Sequence, residues 1–128
     1  MIIDHDLNDT RIAARVANTA GFEEIEACSS VALAIESIEQ GLRRERPLPD
    51  AIVLDLNLGY ESGYELLRHW RTTWGDSTIR IVVWSVLGER NRELCALFRV
   101  DAYVSKWEGD AALHEALRKV SGASPVAI

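Results

Sequence analysis

The feature that most constrains the fold of this chain is a short apolar run, Ala51-Ile52-Val53-Leu54, which ends abruptly in Asp55. A run of this length without polar alternation is typical of a strand buried on both faces, as in a parallel sheet. Two prolines in residues 47–50 mark where the strand begins. Asp55 is therefore predicted at the carboxyl end of the strand, the edge where open α/β sheets bind ligands. The alternative is that Asp55 only caps the turn that follows.

Apolar runs and helix-spaced apolar stripes alternate along the chain. This alternation predicts an α/β fold with a doubly wound five-stranded parallel sheet, helices on both faces and right-handed crossovers. Asn8 or Asp9 is the predicted N-cap of the first helix, and Ser29 or Ser30 that of the second. The predicted strands span residues 1–3, 23–28, 51–54, 79–84 and 101–105, and the helices span 7–20, 63–74 and 89–98, with one more before Arg43 and one around Leu113, Leu117 and Val120.

The spacing of apolar residues in the helices also predicts which side chains face the core. These are Leu66, Leu67 and Trp70 in the third helix, and Leu94, Leu97 and Phe98 in the fourth. A chain of 128 residues is long enough for one domain with a core and too short for two. We therefore expect one domain over residues 1–120, followed by a tail or linker over 121–128 that contains glycine, serine and proline.

Composition and charge argue against several functional classes. The net charge of -6 is unsuited to nonspecific nucleic-acid binding, in which Lys and Arg neutralise phosphates. The N-terminus lacks a basic segment followed by an apolar one, and no apolar run approaches the roughly 20 residues of a membrane span. Cys28 and Cys95 are isolated in apolar surroundings, so reduced cysteines are expected rather than a disulfide. These features predict a cytoplasmic protein without membrane contact.

Polar side chains follow four of the five predicted strands: Asp4, Asp55, Ser85 and Lys106. Because the carboxyl ends of parallel strands meet at one edge of a sheet, we expect these side chains to converge. Two neighbouring carboxylates favour a hard cation such as Mg²⁺, and a hydroxyl and an ammonium opposite them suit a phosphate group. An aspartate in such a site is able to act as a nucleophile and form an aspartyl phosphate.

In this setting, the stretch Asp55-Leu56-Asn57-Leu58-Gly59-Tyr60-Glu61-Ser62-Gly63 resembles the phosphoacceptor stretch of receiver domains of bacterial two-component response regulators. The resemblance covers about residues 1–120 and implies the (βα)5 flavodoxin-like receiver fold. It implies a signalling switch that accepts a phosphoryl group on Asp55 from a sensor histidine kinase or phosphotransfer protein. The surface that changes, for partner docking or a homodimer, is implied to lie on the last two helices and the fifth strand.

The resemblance also implies a role for each residue at the strand ends. Ser85 stands in the place of the switch hydroxyl, and Lys106 in the place of the phosphate-binding lysine. Tyr103 matches the aromatic residue that moves inward when the switch hydroxyl engages the phosphoryl group. The implied Mg²⁺ ligands are Asp4, Asp55 and the backbone carbonyl of Asn57.

His5 is the main departure from the family pattern. It occupies the position of a second acid, which normally binds the metal directly. A neutral imidazole is a poor Mg²⁺ ligand and removes a negative charge, so we expect weak Mg²⁺ binding that His5→Asp strengthens. Asp6 is a less favoured replacement, because alternation at the end of a strand points its side chain elsewhere.

Other departures concern the loops. Gly59 and Trp107 stand where the family has prolines, which predicts a looser loop after Asp55 and a trans peptide bond after Lys106. Leu87 offers no polar group to orient an attacking water, which predicts slow self-dephosphorylation.

Two rival functions compete with this reading. A phosphatase of the haloacid dehalogenase type also uses a strand-end aspartate and Mg²⁺, but it needs a second acid two residues later, where this chain has Asn57. A pseudo-receiver would use the same fold as an interaction module without phosphorylation. His5 and the loop departures favour the pseudo-receiver, whereas the intact Asp55, Ser85 and Lys106 oppose it.

Overall fold

The computed structural model describes residues 1–75, 77–86 and 88–121. The strands are β1 (Ile2–Ile3), β2 (Ala27–Cys28), β3 (Ala51–Leu54), β4 (Asn57–Leu58), β5 (Glu61–Ser62), β6 (Arg80–Ser85) and β7 (Ala102–Ser105). The helices are α1 (Leu7–Thr19), α2 (Val31–Leu42), α3 (Gly63–Thr73), α4 (Glu89–Leu97) and α5 (Asp110–Val120), with a 3₁₀ helix at Lys106–Glu108. One parallel sheet has the order β2-β1-β3-β6-β7, and β4 and β5 form a separate hairpin. The predicted doubly wound five-stranded sheet is confirmed.

Both faces of the central strand β3 are buried, because its side chains alternate between two helical layers. Ile52 and Leu54 pack in the core layer that contains residues of α2, α3 and α4. Val53 packs in the other layer, with residues of α1 and α5. This two-sided burial accounts for the apolar run without alternation. It also places Asp55 at the carboxyl edge of the sheet.

The first helix is capped earlier than predicted. The N-cap of α1 is Asp6, whose carboxylate accepts the backbone N–H of Asp9 at 2.8 Å. The prediction of Asn8 or Asp9 as the N-cap was therefore wrong, because α1 begins almost directly after β1. Asp9 lies instead in the first turn of the helix, close to the carboxyl edge of the sheet.

The register of α4 also differs from the prediction. Leu94 and Leu97 were expected in the core but are 42% and 76% exposed, and Cys95 is the buried residue. Phe98 is partly buried and packs against the core. This nine-residue helix has a weak apolar stripe, so its orientation follows from the packing of Cys95 and not from the local pattern. Two leucines are left on the surface as a result.

The edge strand β2 is shorter than the predicted strand over residues 23–28, because β1 offers it only two residues to pair with. Leu87 and the predicted tail beyond Ser121 lie outside the described residues, so the predictions that concern them stay predictions. Both cysteines are free. Within the described ranges, none of the helices has the length and apolar character needed to cross a membrane.

The segment after Asp55 is a tight hairpin and not an open loop. Strands β4 and β5 pair antiparallel across a two-residue turn formed by Gly59 and Tyr60. Gly59 has a φ of +78°, a conformation that favours glycine at the first position of such turns. Gly59 therefore closes the hairpin, whereas the sequence suggested only a looser loop.

Gly63 allows α3 to pack closely against the backbone of the site. An added Cβ would lie 2.5 Å from the carbonyl oxygen of Asp55 and 2.9 Å from the Cα of Leu56. Since both are backbone atoms, we expect Gly63→Ala to lower the free energy of unfolding by about 2 kcal/mol. Chemical denaturation measures the loss. Gly88→Ser is the control, because no described atom lies within 4 Å of an added Cβ there and serine suits a helix N-cap; equal losses would contradict the prediction.

Candidate functional site

Four strand-end side chains meet at the carboxyl edge of the parallel sheet. Asp4 follows β1, Asp55 follows β3, Ser85 ends β6 and Lys106 follows β7. Asp4 and Asp55 are each 4% exposed, and Ser85 is fully buried. The structure therefore brings these four predicted site residues together, as expected for the ends of parallel strands.

The amine of Lys106 lies at the centre of the site. Its Nζ donates to Oδ2 of Asp4 at 2.9 Å, to Oδ2 of Asp9 at 2.7 Å and to Oδ2 of Asp55 at 3.0 Å. Burial lowers the pKa of this amine, but the hydrogen bonds to the three carboxylates outweigh burial, so the pKa is raised above its usual value. The amine is therefore charged at neutral pH. Three carboxylates around one ammonium leave a formal charge of −2.

The other oxygen of Asp55 has donors of its own. Its Oδ1 accepts the backbone N–H of Asn57 at 3.0 Å and the hydroxyl of Ser85 at 3.2 Å. The carboxylate is thus held with the ammonium of Lys106 on one oxygen and a hydroxyl on the other. An ammonium and a hydroxyl placed in this way suit the oxygens of a phosphoryl group.

Asp4 is a buried carboxylate whose hydrogen bonds do not fully offset the cost of its burial. Burial raises its pKa, and this effect exceeds the opposing effects of the Asp6 N–H and of Lys106. The Asp6 N–H donates to Oδ1 of Asp4 at 2.9 Å. A carboxylate in this condition is stabilised by a cation placed beside it.

Asp9 was missed as a site residue by the sequence reasoning. It was considered only as a helix cap, yet its carboxylate makes the shortest of the three contacts to Lys106. A signal for Asp9 was present in the sequence, because Asp6 is a suitable N-cap residue and Asp9, three residues later, then lies in the first turn of the helix. With Asp6 as the N-cap, a side chain in the first turn is directed back toward the helix N-terminus, which here adjoins the site.

His5 lies beside the two buried aspartates, in the position predicted to weaken metal binding. Asp4, His5 and Asp55 each offer one ligand atom, and these atoms lie within 4.8 Å of one another. Carboxylate and imidazole donors at this spacing fit a divalent cation. The predicted role of the Asn57 carbonyl stays a prediction; the side chain of Asn57 accepts the Gly59 N–H at 3.2 Å.

Tyr103 is already turned inward. Its side chain is buried and packs in the core layer with α2, α3 and α4. Arg92 of α4 covers the ring, with its guanidinium carbon 4.9 Å from the ring centroid. Nη1 of Arg92 also donates to the carbonyl of Tyr103 at 2.9 Å. Arg92 therefore joins α4 to β7 at the residue predicted to move when the site is phosphorylated.

The loop after Lys106 is closed by a capping box. The hydroxyl of Ser105 accepts the Trp107 N–H at 3.2 Å, and the carboxylate of Glu108 accepts the Ser105 N–H at 2.9 Å. The peptide bond after Lys106 is trans, as the sequence predicted, since no cis bond occurs among the described residues. Trp107 is exposed.

Trp84 forms the floor under the site. The centroid of its buried ring lies 4.8 Å from Nζ of Lys106. Core packing was the predicted role of Trp84, and the residue packs in the layer with α1 and α5. The distance between the ring and the Lys106 ammonium is that of a cation–π contact.

Comparisons with known proteins support the fold. The sequence matches no protein-family model, and no curated protein is significantly similar to it. Solved structures match along most of the chain. A two-component response regulator from Cytophaga hutchinsonii is 24% identical, with a TM-score of 0.78 and coverage of 93% of this chain and 92% of that chain. The phosphorylated cyanobacterial phytochrome response regulator RcpA is 21% identical, with a TM-score of 0.76 and coverage of 96% and 94%.

The Mn²⁺-bound form of response regulator Rcp1 is 20% identical, with a TM-score of 0.74 and coverage of 99% of this chain and 94% of that chain. These TM-scores and coverages establish a shared fold, whereas identities this low leave the function to be argued from the site. The matches extend over the whole five-stranded parallel sheet and the helices on both of its faces, since they cover more than 90% of this chain. The chain therefore has the fold of response-regulator receiver domains.

Proposed function

We propose that this chain is a phosphorylation-dependent switch of two-component signalling that accepts a phosphoryl group on Asp55. The observation that carries the proposal is the setting of the Asp55 carboxylate. Nζ of Lys106 lies 3.0 Å from one of its oxygens and Oγ of Ser85 lies 3.2 Å from the other. The shared fold with response regulators, one of them a phosphorylated form, supports the same conclusion.

The proposed transfer is a displacement at phosphorus. A carboxylate oxygen of Asp55 attacks the phosphorus of a phosphohistidine on a sensor kinase or phosphotransfer protein. The new P–O bond forms as the P–N bond breaks, and the electron pair of that bond stays on the imidazole of the donor. Lys106 pairs with the oxygens of the transferred group, and Ser85 donates a hydrogen bond to one of them.

The proposed transfer uses a divalent cation, which the sequence predicts to be Mg²⁺. The residues that would hold it are Asp4, Asp55 and the carbonyl of Asn57. Such a cation supplies positive charge that the phosphoryl oxygens need during transfer. The formal charge of −2 around Lys106 supports its binding, as does the shared fold with the Mn²⁺-bound regulator.

We also propose that the face formed by α4, β7 and α5 binds a partner or a second copy of the chain. The exposed Leu94 and Leu97 on α4 support this surface, because contacts between proteins use exposed apolar side chains. Tyr103 lies behind this face and Arg92 connects the two. We propose a cytoplasmic location for the protein, as expected from its composition.

The test is incubation of the chain with acetyl phosphate and Mg²⁺, read by intact-mass spectrometry. We expect one phosphoryl group per chain, as Asp55 displaces acetate from phosphorus. The label should persist for minutes or longer after the donor is removed, and a lifetime of seconds would contradict slow dephosphorylation. Failure to gain a phosphoryl group from acetyl phosphate and from phosphohistidine donors alike would refute the proposal.

A second candidate function is an interaction module that works without phosphorylation. The observation that favours it is the arrangement of the switch residues. Tyr103 is buried under Arg92, and the hydroxyl of Ser85 contacts the Asp55 carboxylate itself. The inward arrangement therefore does not require a phosphoryl oxygen as the acceptor for Ser85.

Arg92→Ala tests how the inward position of Tyr103 is maintained. We expect the free energy of unfolding to fall by about 1–2 kcal/mol, because the cation–π contact and the hydrogen bond to the Tyr103 carbonyl are lost. Arg90→Ala, at an exposed position of the same helix, is the control, and equal losses would contradict the prediction.

Fluorotyrosine NMR separates the two candidate functions. A Tyr103 signal that shifts when acetyl phosphate is added supports the switch, and an unchanged signal supports the interaction module.

A further inference from the structure

We propose that His5 joins Asp4 and Asp55 as a direct ligand of the cation, and that the site therefore prefers a first-row transition-metal ion, such as Co²⁺ or Zn²⁺, over Mg²⁺. The inference rests on the proposed function, since it concerns the cation of the same site. In the sequence analysis, His5 was expected only to weaken Mg²⁺ binding; here it is assigned a role as a metal ligand.

The positions of the donors carry the first step. Nδ1 of His5 lies 3.9 Å from Oδ1 of Asp4, and one ligand atom from each of His5, Asp4 and Asp55 lies within 4.8 Å of the others. Lys106 contacts Oδ2 of both aspartates. The imidazole and the ammonium therefore lie beside different oxygens of Asp4, and Oδ1, on the imidazole side, accepts only the Asp6 N–H among the hydrogen bonds described.

The spacing fits a metal ion after a small closure. Two ligands that are each about 2.1 Å from one ion are about 3 Å apart when they are adjacent in an octahedron and about 4.2 Å apart when they lie on opposite sides. The donors lie within 4.8 Å of one another, so they reach this range when a side chain moves inward by about 1 Å or more. The imidazole is able to do so, since the His5 side chain is 43% exposed.

The chemistry of the donor set decides which ion is preferred. Mg²⁺ binds oxygen ligands in a nearly ideal octahedron and binds imidazole poorly. Imidazole suits zinc, copper, iron and nickel, and the affinity of a mixed nitrogen and oxygen site rises from Mn²⁺ toward Cu²⁺. Replacing a carboxylate by His5 lowers the affinity for Mg²⁺ and retains a ligand that transition-metal ions prefer. The selectivity of the site should therefore move away from Mg²⁺.

Asp9 reduces the competition between a bound cation and the ammonium of Lys106. A cation at Asp4 and Asp55 competes with the ammonium of Lys106 for the same two carboxylates. Asp9 supplies Lys106 with a third carboxylate, at 2.7 Å, which is 29% exposed and lies outside the ligand set. When a cation binds Asp4 and Asp55 and neutralises part of their charge, Lys106 therefore still has the carboxylate of Asp9 as a partner.

The experiment compares metal binding by the whole chain at fixed neutral pH, without a phosphoryl donor. Isothermal titration calorimetry gives the dissociation constants of Mg²⁺ and Co²⁺ for the wild type, His5→Asp and His5→Gln. We expect the ratio of the Mg²⁺ constant to the Co²⁺ constant to fall about tenfold or more in both variants. Mg²⁺ itself should bind more tightly to His5→Asp than to the wild type. His114→Ala, which removes a histidine of α5, should leave the ratio unchanged.

A spectroscopic measurement tests direct ligation. Pulsed electron paramagnetic resonance of the Mn²⁺ complex should detect a coordinated imidazole nitrogen in the wild type and in His114→Ala. The signal should be absent in both His5 variants. An unchanged selectivity ratio in the His5 variants, or a wild-type complex without nitrogen coupling, would overturn the inference. Because no phosphoryl transfer is involved, that result would leave the proposed role of Asp55 standing, and loss of phosphoryl uptake would leave the metal result standing.

Discussion

Asp55→Asn should abolish the uptake of a phosphoryl group from acetyl phosphate. The amide has no carboxylate oxygen able to attack phosphorus, because its nitrogen lone pair is delocalised and its carbonyl oxygen carries no full charge. The amide oxygen is still able to accept the Ser85 hydroxyl and the Asn57 N–H, which now contact Oδ1. The variant should therefore keep its fold while the gain in mass disappears completely. Intact-mass spectrometry measures the uptake, and circular dichroism verifies the fold.

The control for this variant is Asp50→Asn. Asp50 is an exposed aspartate that precedes β3, at the opposite edge of the sheet from the site. The Asp50→Asn variant should take up as much phosphoryl group on Asp55 as the wild type. If Asp55→Asn still gained a phosphoryl group, peptide mapping would identify the acceptor, and a label on Asp4 or Asp9 would refute the assignment of Asp55.

Lys106→Met should destabilise the fold more than any other single change to this site. The Lys106 side chain is 9% exposed, and it pairs with Asp4 and Asp55, whose side chains are 2% and 5% exposed. Removal of the ammonium leaves both carboxylates desolvated without their cation. Removing one partner from buried ion pairs of this kind is strongly destabilising, so we expect a loss of about 3 kcal/mol or more in the free energy of unfolding.

The second lysine of the chain provides the matched control for Lys106→Met. Lys119 is 75% exposed, and its ion pair among the described residues is an i,i+4 pair with Glu115. Lys119→Met should change the free energy of unfolding by less than about 0.5 kcal/mol. Urea denaturation compares the two variants. Losses of similar size would show that the three carboxylates do not depend on Lys106 for their charge compensation.

Two further measurements connect the Lys106→Met loss to charge. Adding Asp55→Asn to the variant should recover part of the stability, because one uncompensated carboxylate is removed. Lower pH should also reduce the loss. Burial raises the pKa of Asp4 in the folded state, and losing Lys106 raises it further, so the folded variant binds a proton more tightly than the unfolded chain. Its stability relative to the wild type should therefore rise as the pH falls from about 8 to about 5.

The sequence alone predicted the parts of this protein that depend on local patterns. The apolar run of β3 required burial on both faces, and the alternation of runs and stripes required a parallel sheet with two helical layers. Once the sheet was parallel, the ends of four strands had to meet at one edge. Asp4, Asp55, Ser85 and Lys106 were found in this way, since their convergence follows from strand direction and not from any particular side-chain conformation.

Tertiary structure decided the features that depend on how separate elements pack. Asp9 reaches Lys106 because α1 begins directly after β1, and the sequence allowed a later cap. Leu94 and Leu97 face outward because the packing of Cys95 sets the rotation of α4, whose nine residues carry too weak a stripe to set it themselves. Arg92 covers Tyr103 across eleven residues of chain. Local periodicity determines which residues form an element, but contacts between elements determine where each side chain points, and charge pairing at this site depends on those directions.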